Sequence, residues 1–109
     1  MVLDTLHYGG GANTTYDSFA AGTPVVTLPT QFQRGRYAYA AYQQIDVYDA
    51  IADSPAAYVA LALALGTDRA ARADLSARIS AACPVLFEDQ AAVAELAEFF
   101  EQALEQARD

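Results

Sequence analysis

The chain has 109 residues, enough for one domain with a modest core. Its formal charge of −8 comes from 14 acids set against six arginines, with no lysine. That balance makes the chain a poor candidate for nonspecific binding to nucleic acid or to an anionic membrane, both of which need a basic face.

In chain order, Val2-Leu3-Asp4-Thr5-Leu6 is a short apolar run suited to a buried parallel strand. It leads directly into Gly9-Gly10-Gly11. Asn13 or Thr14 is placed to cap a helix expected from about Thr15 to Ala21, which Gly22 would stop. Val25-Val26-Thr27-Leu28, β-branched and bounded by prolines, reads as the second strand. Strand, helix and strand in so short a span make a βαβ unit, and hence an α/β fold.

A helix is expected from Arg34 to Ile45. Tyr37, Tyr39 and Tyr42 do not share one stripe of it, so at least one should face a cleft or a partner. Asp46 to Ala52 has room for one more short strand around Ala50-Ile51. Ser54-Pro55 opens a helix with a capping hydroxyl and a proline at the first helical position, running to Leu65 and stopping at Gly66. Thr67-Asp68 starts another through about Ala82, ended by Pro84, and Asp89 caps the last, from Gln90 to about Arg108. On that last helix Leu96, Phe99, Phe100, Ala103 and Leu104 form an apolar face, and Glu95, Glu98, Glu101 and Glu105 line the other as a solvated face.

Two or three strands fall short of the five or six in a complete doubly wound sheet. The segment is therefore expected to be the C-terminal portion of a larger domain, completed by a missing N-terminal domain or a partner chain. Cys83 is the only cysteine and His7 the only histidine, so neither a disulfide nor a site of several soft or imidazole ligands can form. No metal is expected. Cys83, before proline at a helix end, reads as a buried small hydrophobe. The N-terminus lacks a basic region followed by an apolar core, and the apolar run Tyr58 to Leu65 is too short to span a bilayer. A cytoplasmic location is the default expectation.

The chemistry points to the glycine loop. A diphosphate needs several amide donors at close approach, and side chains there would block it. Glycines remove the obstruction, and the next helix adds its unsatisfied N–H groups and its dipole. Asn13, Thr14 and Thr15 supply uncharged donors, and Asp17, three residues past Thr14, can accept from ribose hydroxyls as acids do in dinucleotide folds. The spacing matches neither the dinucleotide fingerprint nor the lysine-bearing phosphate loop, so a plain tight turn stays open beside phosphate binding. Arg34 and Arg36 could neutralise a phosphate or pair with surface acids. His7 stands where active-site residues gather in α/β folds, although a lone histidine serves equally as a structural residue. Tyr8 and Tyr16 flank the loop, where they could stack on a base or pack in the core.

Leu3-Asp4-Thr5, the glycine loop, Thr14-Thr15-x-Asp17 and Ala21-Gly22-Thr23-Pro24-Val25-Val26-Thr27-Leu28-Pro29 resemble the C-terminal catalytic region of the O-linked N-acetylglucosamine transferase (SPINDLY-like) glycosyltransferase family. The likeness continues through Arg36, Tyr58-Val59-Ala60-Leu61-Ala62 and Pro84-Val85-Leu86-Phe87, and so covers nearly the whole chain. It implies a GT-B fold of two Rossmann-like domains, with the donor bound between them. This chain would be the C-terminal half of the C-terminal one: residues 1–52 the βαβ donor-site part and 53–109 the helical part.

By position, the resemblance implies that Gly10, Gly11, Asn13, Thr14 and Thr15 meet the donor diphosphate and Asp17 the ribose, with Arg36 and Tyr16 lining the cleft. Better-known members carry Gly-His-Thr-Thr before this helix. Here Gly11-Ala12-Asn13 replaces the histidine, a form that resembles a bacterial branch. The implied reaction transfers a sugar, N-acetylglucosamine from UDP, to a hydroxyl acceptor such as a protein Ser or Thr. The UDP-sugar is a co-substrate, and no resident cofactor is implied. Family members hold the acceptor side, the catalytic-region histidines and a lysine facing the diphosphate upstream, so this chain alone is expected to be inactive. Two alternatives stand beside this reading. One is a non-catalytic nucleotide-binding or interaction fragment that needs a partner. The other is a GT-B-fold sugar-nucleotide epimerase, for which only Asp4 and Asp17 lie near the loop.

Overall fold

The computed structural model describes residues 1–108. Two short strands, β1 (Val2–Leu3) and β2 (Val25–Val26), pair in parallel with Val2 opposite Val25 and Leu3 opposite Val26. The helix α1 (Gly11–Ala20) crosses between them. Both strands are shorter than the apolar runs predict. Past Leu3 the chain bends away to form the loop, and past Val26 the pairing passes to a third segment. That segment is the predicted strand near Ala50-Ile51, reduced to a single parallel bridge between Thr27 and Ile51. Thr27 donates its amide to the Ala50 carbonyl at 3.0 Å, and Ala52 donates to the Thr27 carbonyl at 2.8 Å. β2 with Thr27 is thus the middle of three parallel segments.

The core forms over this middle strand. Phe19 of α1 and Tyr42 of α2 (Tyr37–Ile45) are fully buried with ring centroids 4.6 Å apart, beside Val25 and Val26. Leu75 and Ile79 of α4 (Arg69–Ala82) join the same cluster, as does Leu65 of α3 (Pro55–Thr67). Because the third segment reaches only Thr27, the amide of Val25 has no strand on that side. The Tyr42 hydroxyl accepts it at 2.9 Å, doing the job of the absent backbone. Burial pushes the Tyr42 hydroxyl far above its ordinary range, so it stays protonated.

The expected helix Arg34–Ile45 divides into a 3-10 helix at Gln33–Gly35 and α2 from Tyr37. Of its tyrosines, Tyr42 is buried and Tyr39 half-buried, while Tyr37 reaches solvent. Gly22 ends α1 at φ +63, and a Cβ there would overlap the Ser80 hydroxyl. α3 starts as expected, with the Ser54 hydroxyl accepting from the Ala57 amide at 3.2 Å. It does not stop at Gly66, because the Arg72 guanidinium donates to the Leu65 and Gly66 carbonyls at 2.6 and 3.2 Å and satisfies the end from outside. Asp68 then caps α4 through Ala70 and Ala71, both at 2.9 Å. Cys83 is buried in a 3-10 helix, Cys83–Leu86, and Asp89 caps α5 (Gln90–Arg108) through the Ala92 amide at 3.1 Å.

α5 is the outlier. None of its described residues is buried, and Val93, Leu96, Phe99, Phe100 and Leu104 of its apolar face are 55–62% exposed. The molecule extends 61 × 29 × 18 Å with a radius of gyration of 16.8 Å, against about 13 Å for a compact domain of this size. No described helix is long and apolar enough to cross a membrane.

Two measurements check this packing. Tyr42→Phe strands the buried Val25 amide and should lower stability by about 1–3 kcal/mol in urea unfolding, leaving the helical circular dichroism unchanged. On the surface, Arg78 forks onto Asp49 at 2.7 and 2.9 Å, and this hydrogen bond holds the Asp49 carboxyl below its usual range. A lowered folded-state pKa stabilises the fold above the unfolded value and is lost as pH falls through the folded one. Asp49→Asn should therefore lower the urea midpoint slightly at neutral pH and leave it unchanged near about pH 2.

Candidate nucleotide-binding loop

Parallel pairing brings the C-terminal ends of β1 and β2 side by side, and the loops that leave them meet there. Gly9 is buried against the Arg34 carbonyl, where a Cβ would overlap the oxygen, so glycine is required for the two loops to touch. Gly35 is held in the same way, its missing Cβ filled by the Thr30 hydroxyl. In open α/β sheets this end of the strands is where ligands bind.

Helix α1 begins at Gly11, not near Thr15. Gly11 at φ +83 turns the chain directly from the loop into the helix, a conformation that costs glycine little. A Cβ at Gly11 would meet nothing within 4 Å, so the space above it is open. Asn13 and Thr14 consequently lie within the first turn and cap nothing. The N-cap is Gly10, and no side chain caps the helix. The amides of Gly11, Ala12 and Asn13 are therefore the unsatisfied donors of the helix start.

The Gly10 amide is already taken. It donates to Asp4 Oδ1 at 2.7 Å, while Asp4 Oδ2 accepts the buried Thr27 hydroxyl at 2.8 Å. The Asp4 carbonyl accepts from the Tyr58 hydroxyl of α3 at 2.7 Å. Thr5 bonds the Tyr8 carbonyl across the bend. Asp4 thus serves the loop's own architecture, which removes one of the two acids an epimerase reading would need.

The other predicted residues divide sharply. Asn13, Thr14 and Asp17 are exposed, with Asp17 four residues past Asn13 and three past Thr14, toward the outside of α1. Thr15 is buried, and its hydroxyl donates to the Gly11 carbonyl at 3.0 Å, so it faces the helix and not the open space. Tyr16 packs edge-on against Phe87, with centroids 6.1 Å apart. Arg36 donates to the Thr30 carbonyl at 2.8 Å and lies over the Tyr39 ring at 4.5 Å, bracing its loop. Arg34 is exposed over Phe32, also at 4.5 Å. Among the described residues every salt bridge involves Arg78, so neither Arg34 nor Arg36 is engaged by an acid. His7 and Tyr8 are exposed on the bend.

A cleft of about 280 Å³ is lined by Met1, Pro24, Arg69 and Arg72, and an apolar one of about 430 Å³ by Ala20, Cys83, Pro84 and Phe87. Neither includes a loop residue. Among the described residues no group of His, Cys, Asp or Glu is placed to hold a metal ion.

Sequence reasoning passed over Asp4 as an organiser of the loop. The available signal was a polar pair at corresponding ends of two apolar runs, Asp4 after Val2-Leu3 and Thr27 after Val25-Val26. Each is too polar to end a buried strand unless the two satisfy each other.

Comparison with known proteins agrees with the family resemblance. The chain is similar to a solved structure of a single-residue mutant of the O-GlcNAc transferase of Thermobaculum terrenum, with 28% identity and a TM-score of 0.78. The match covers 92% of this chain and 19% of that one, so the present chain corresponds to about a fifth of that protein's length. No curated protein sequence matches it. The profile of glycosyl transferase family 41 matches residues 1–96. The chain belongs to glycosyl transferase family 41.

Proposed function

We propose that this chain forms the donor-nucleotide wall of a sugar transferase. Residues 1–52 make the βαβ donor part and the following residues the helical part of a Rossmann-like half-domain of GT-B type. The observation that carries this reading is the uncapped first turn of α1, with Gly11, Ala12 and Asn13 amides free and Thr14 and Asp17 on its outer face. A diphosphate at that turn receives N–H donors and the positive end of the helix dipole. The Thr14 hydroxyl adds a donor, and Asp17 accepts from the ribose hydroxyls about one turn further on. Arg34, exposed beside Gly9 with no acid engaged, is the cation nearest in the chain to the loop contact.

In the transfer itself, negative charge builds on the leaving diphosphate as the sugar–phosphate bond breaks. Fixed amides and a dipole already aimed at that position stabilise the charge without reorganising. The name of the Thermobaculum terrenum enzyme supports N-acetylglucosamine as the sugar, and UDP is the nucleotide proposed here. The acceptor hydroxyl, the general base and the second wall of the cleft would come from a further domain or partner chain. The exposed apolar face of α5 also favours a second reading, an interaction fragment that takes no donor and needs such a partner.

Calorimetric titration decides between these. UDP and UDP-N-acetylglucosamine should bind with a Kd of about millimolar or tighter, and free N-acetylglucosamine should not. Asp17→Ala should weaken UDP by about tenfold or more, the loss of hydrogen bonds to a charged acceptor. A folded chain that ignores UDP defeats the donor-site reading and leaves the fragment one. Separately, Gly11→Ala forces an alanine into a left-handed conformation at a cost of about 1–2 kcal/mol. It should both lower the unfolding midpoint and weaken UDP. No sugar transfer is expected from the chain alone in a radiolabelled-donor assay.

A further inference from the structure

We propose that Asp4 is a positioning residue of the donor site, holding the glycine turn so that its free amides stay uncapped and aimed outward. The inference rests on the donor-site reading and adds to it a residue that does not touch the donor. An ordinary helix start satisfies its amides locally. The N-cap side chain accepts from the third helical residue, and an acid at that residue reaches back to the N-cap amide. Neither device exists in α1. Its N-cap is Gly10, which has no side chain, and its third residue is Asn13, which makes no capping bond.

Asp4 supplies half of that arrangement from another element. Its Oδ1 takes the N-cap amide of Gly10 at 2.7 Å, the short distance of a charge-assisted bond. The amide of Asn13, which a local cap would have consumed, remains for a ligand together with those of Gly11 and Ala12. The carboxylate is itself fixed from two sides. Thr27, fully buried, donates to Oδ2 at 2.8 Å, and the Tyr58 hydroxyl donates to the Asp4 carbonyl at 2.7 Å. The turn is thereby registered against the middle segment of the sheet and against α3. A negative group placed at the helix start also interacts favourably with the dipole.

The test uses the whole ¹⁵N-labelled chain, with amide hydrogen exchange read by NMR and UDP affinity by titration. In Asp4→Ala the Gly10 amide, the one that Asp4 holds, should exchange about tenfold faster or more, while those of Val26 and Tyr42 hold, and UDP should weaken by a similar factor. Asp4→Asn keeps an acceptor for Gly10 and can donate to the Thr27 oxygen. It should restore both readouts to within about threefold of wild type.

Thr27→Val preserves shape in the core and releases one anchor of the carboxylate. It should give an intermediate loosening, and it serves in place of Asp4→Ala should that variant not fold. Unchanged exchange at Gly10 in Asp4→Ala, or in Thr27→Val where that variant stands in, overturns the proposal. A loosened turn with unaltered UDP affinity also overturns it, leaving Asp4 a structural residue only. Failure of the wild-type chain to bind UDP overturns the donor-site reading and, with it, the positioning role. Exchange would then report only whether Asp4 holds the turn.

Discussion

The parallel register of β1 against β2 is the constraint on which the candidate site depends. With Val2 opposite Val25 and Leu3 opposite Val26, the chain leaves both strands at the same edge and the same height. Asp4 and Thr27, the next residues of the two runs, are then neighbours although 23 positions apart. A slip of one residue would turn each side chain to the opposite face. Asp4 would lose Thr27, and the Gly10 amide would lose its acceptor. The same register sets Gly9 against the Arg34 carbonyl, so the glycine loop and the Thr30–Arg36 loop form one surface.

The anion site proposed here sits in a chain of charge −8, which needs an explanation. Interactions between exposed charges fade over a Debye length, about 8 Å at physiological ionic strength, so remote acids contribute little at the loop. The acidic face of α5 therefore weighs far less than the groups in contact. Those groups are backbone amides and a helix dipole, which carry no net charge and need no counterion. The arginines are used sparingly. Arg36 and Arg72 brace backbone carbonyls and Arg78 pairs with Asp49 and Asp74, while Arg34 lies exposed beside the loop contact.

α5 shows the opposite imbalance. Its apolar residues recur at helical spacing, as in a helix that faces a core, and yet they meet no core in this chain. A helix of this length gains little stability from propensity alone, and packing of the apolar face normally supplies the rest. The small sheet carries the same message. Three parallel segments, one of them a single bridge to Thr27, leave β1 at an edge. Such an edge is a ready template for pairing. The chain spans 19% of the length of the Thermobaculum terrenum protein to which it is similar.

Much was legible in the residues because it depends on near neighbours. Ser54, Asp68 and Asp89 cap amides two or three positions away, Gly22 ends its helix by its own backbone conformation, and the order of strand, glycine loop, helix and strand follows from hydrophobic pattern and turn chemistry. The family likeness rested on those local motifs and agrees with the comparison. What failed were details set by individual hydrogen bonds that no hydrophobic pattern encodes. The start of α1 moved to Gly11, α3 ran past Gly66 because Arg72 took its carbonyls, and Thr15 turned inward while Asp17 stayed exposed. The sequence by itself thus determined which elements form and that a glycine turn opens a helix. Only the tertiary structure decided which amides of that turn are free. The reason is physical: the group that occupies Gly10 is anchored by Thr27 and Tyr58, 23 and 54 residues from Asp4, and no local pattern encodes partners at that separation.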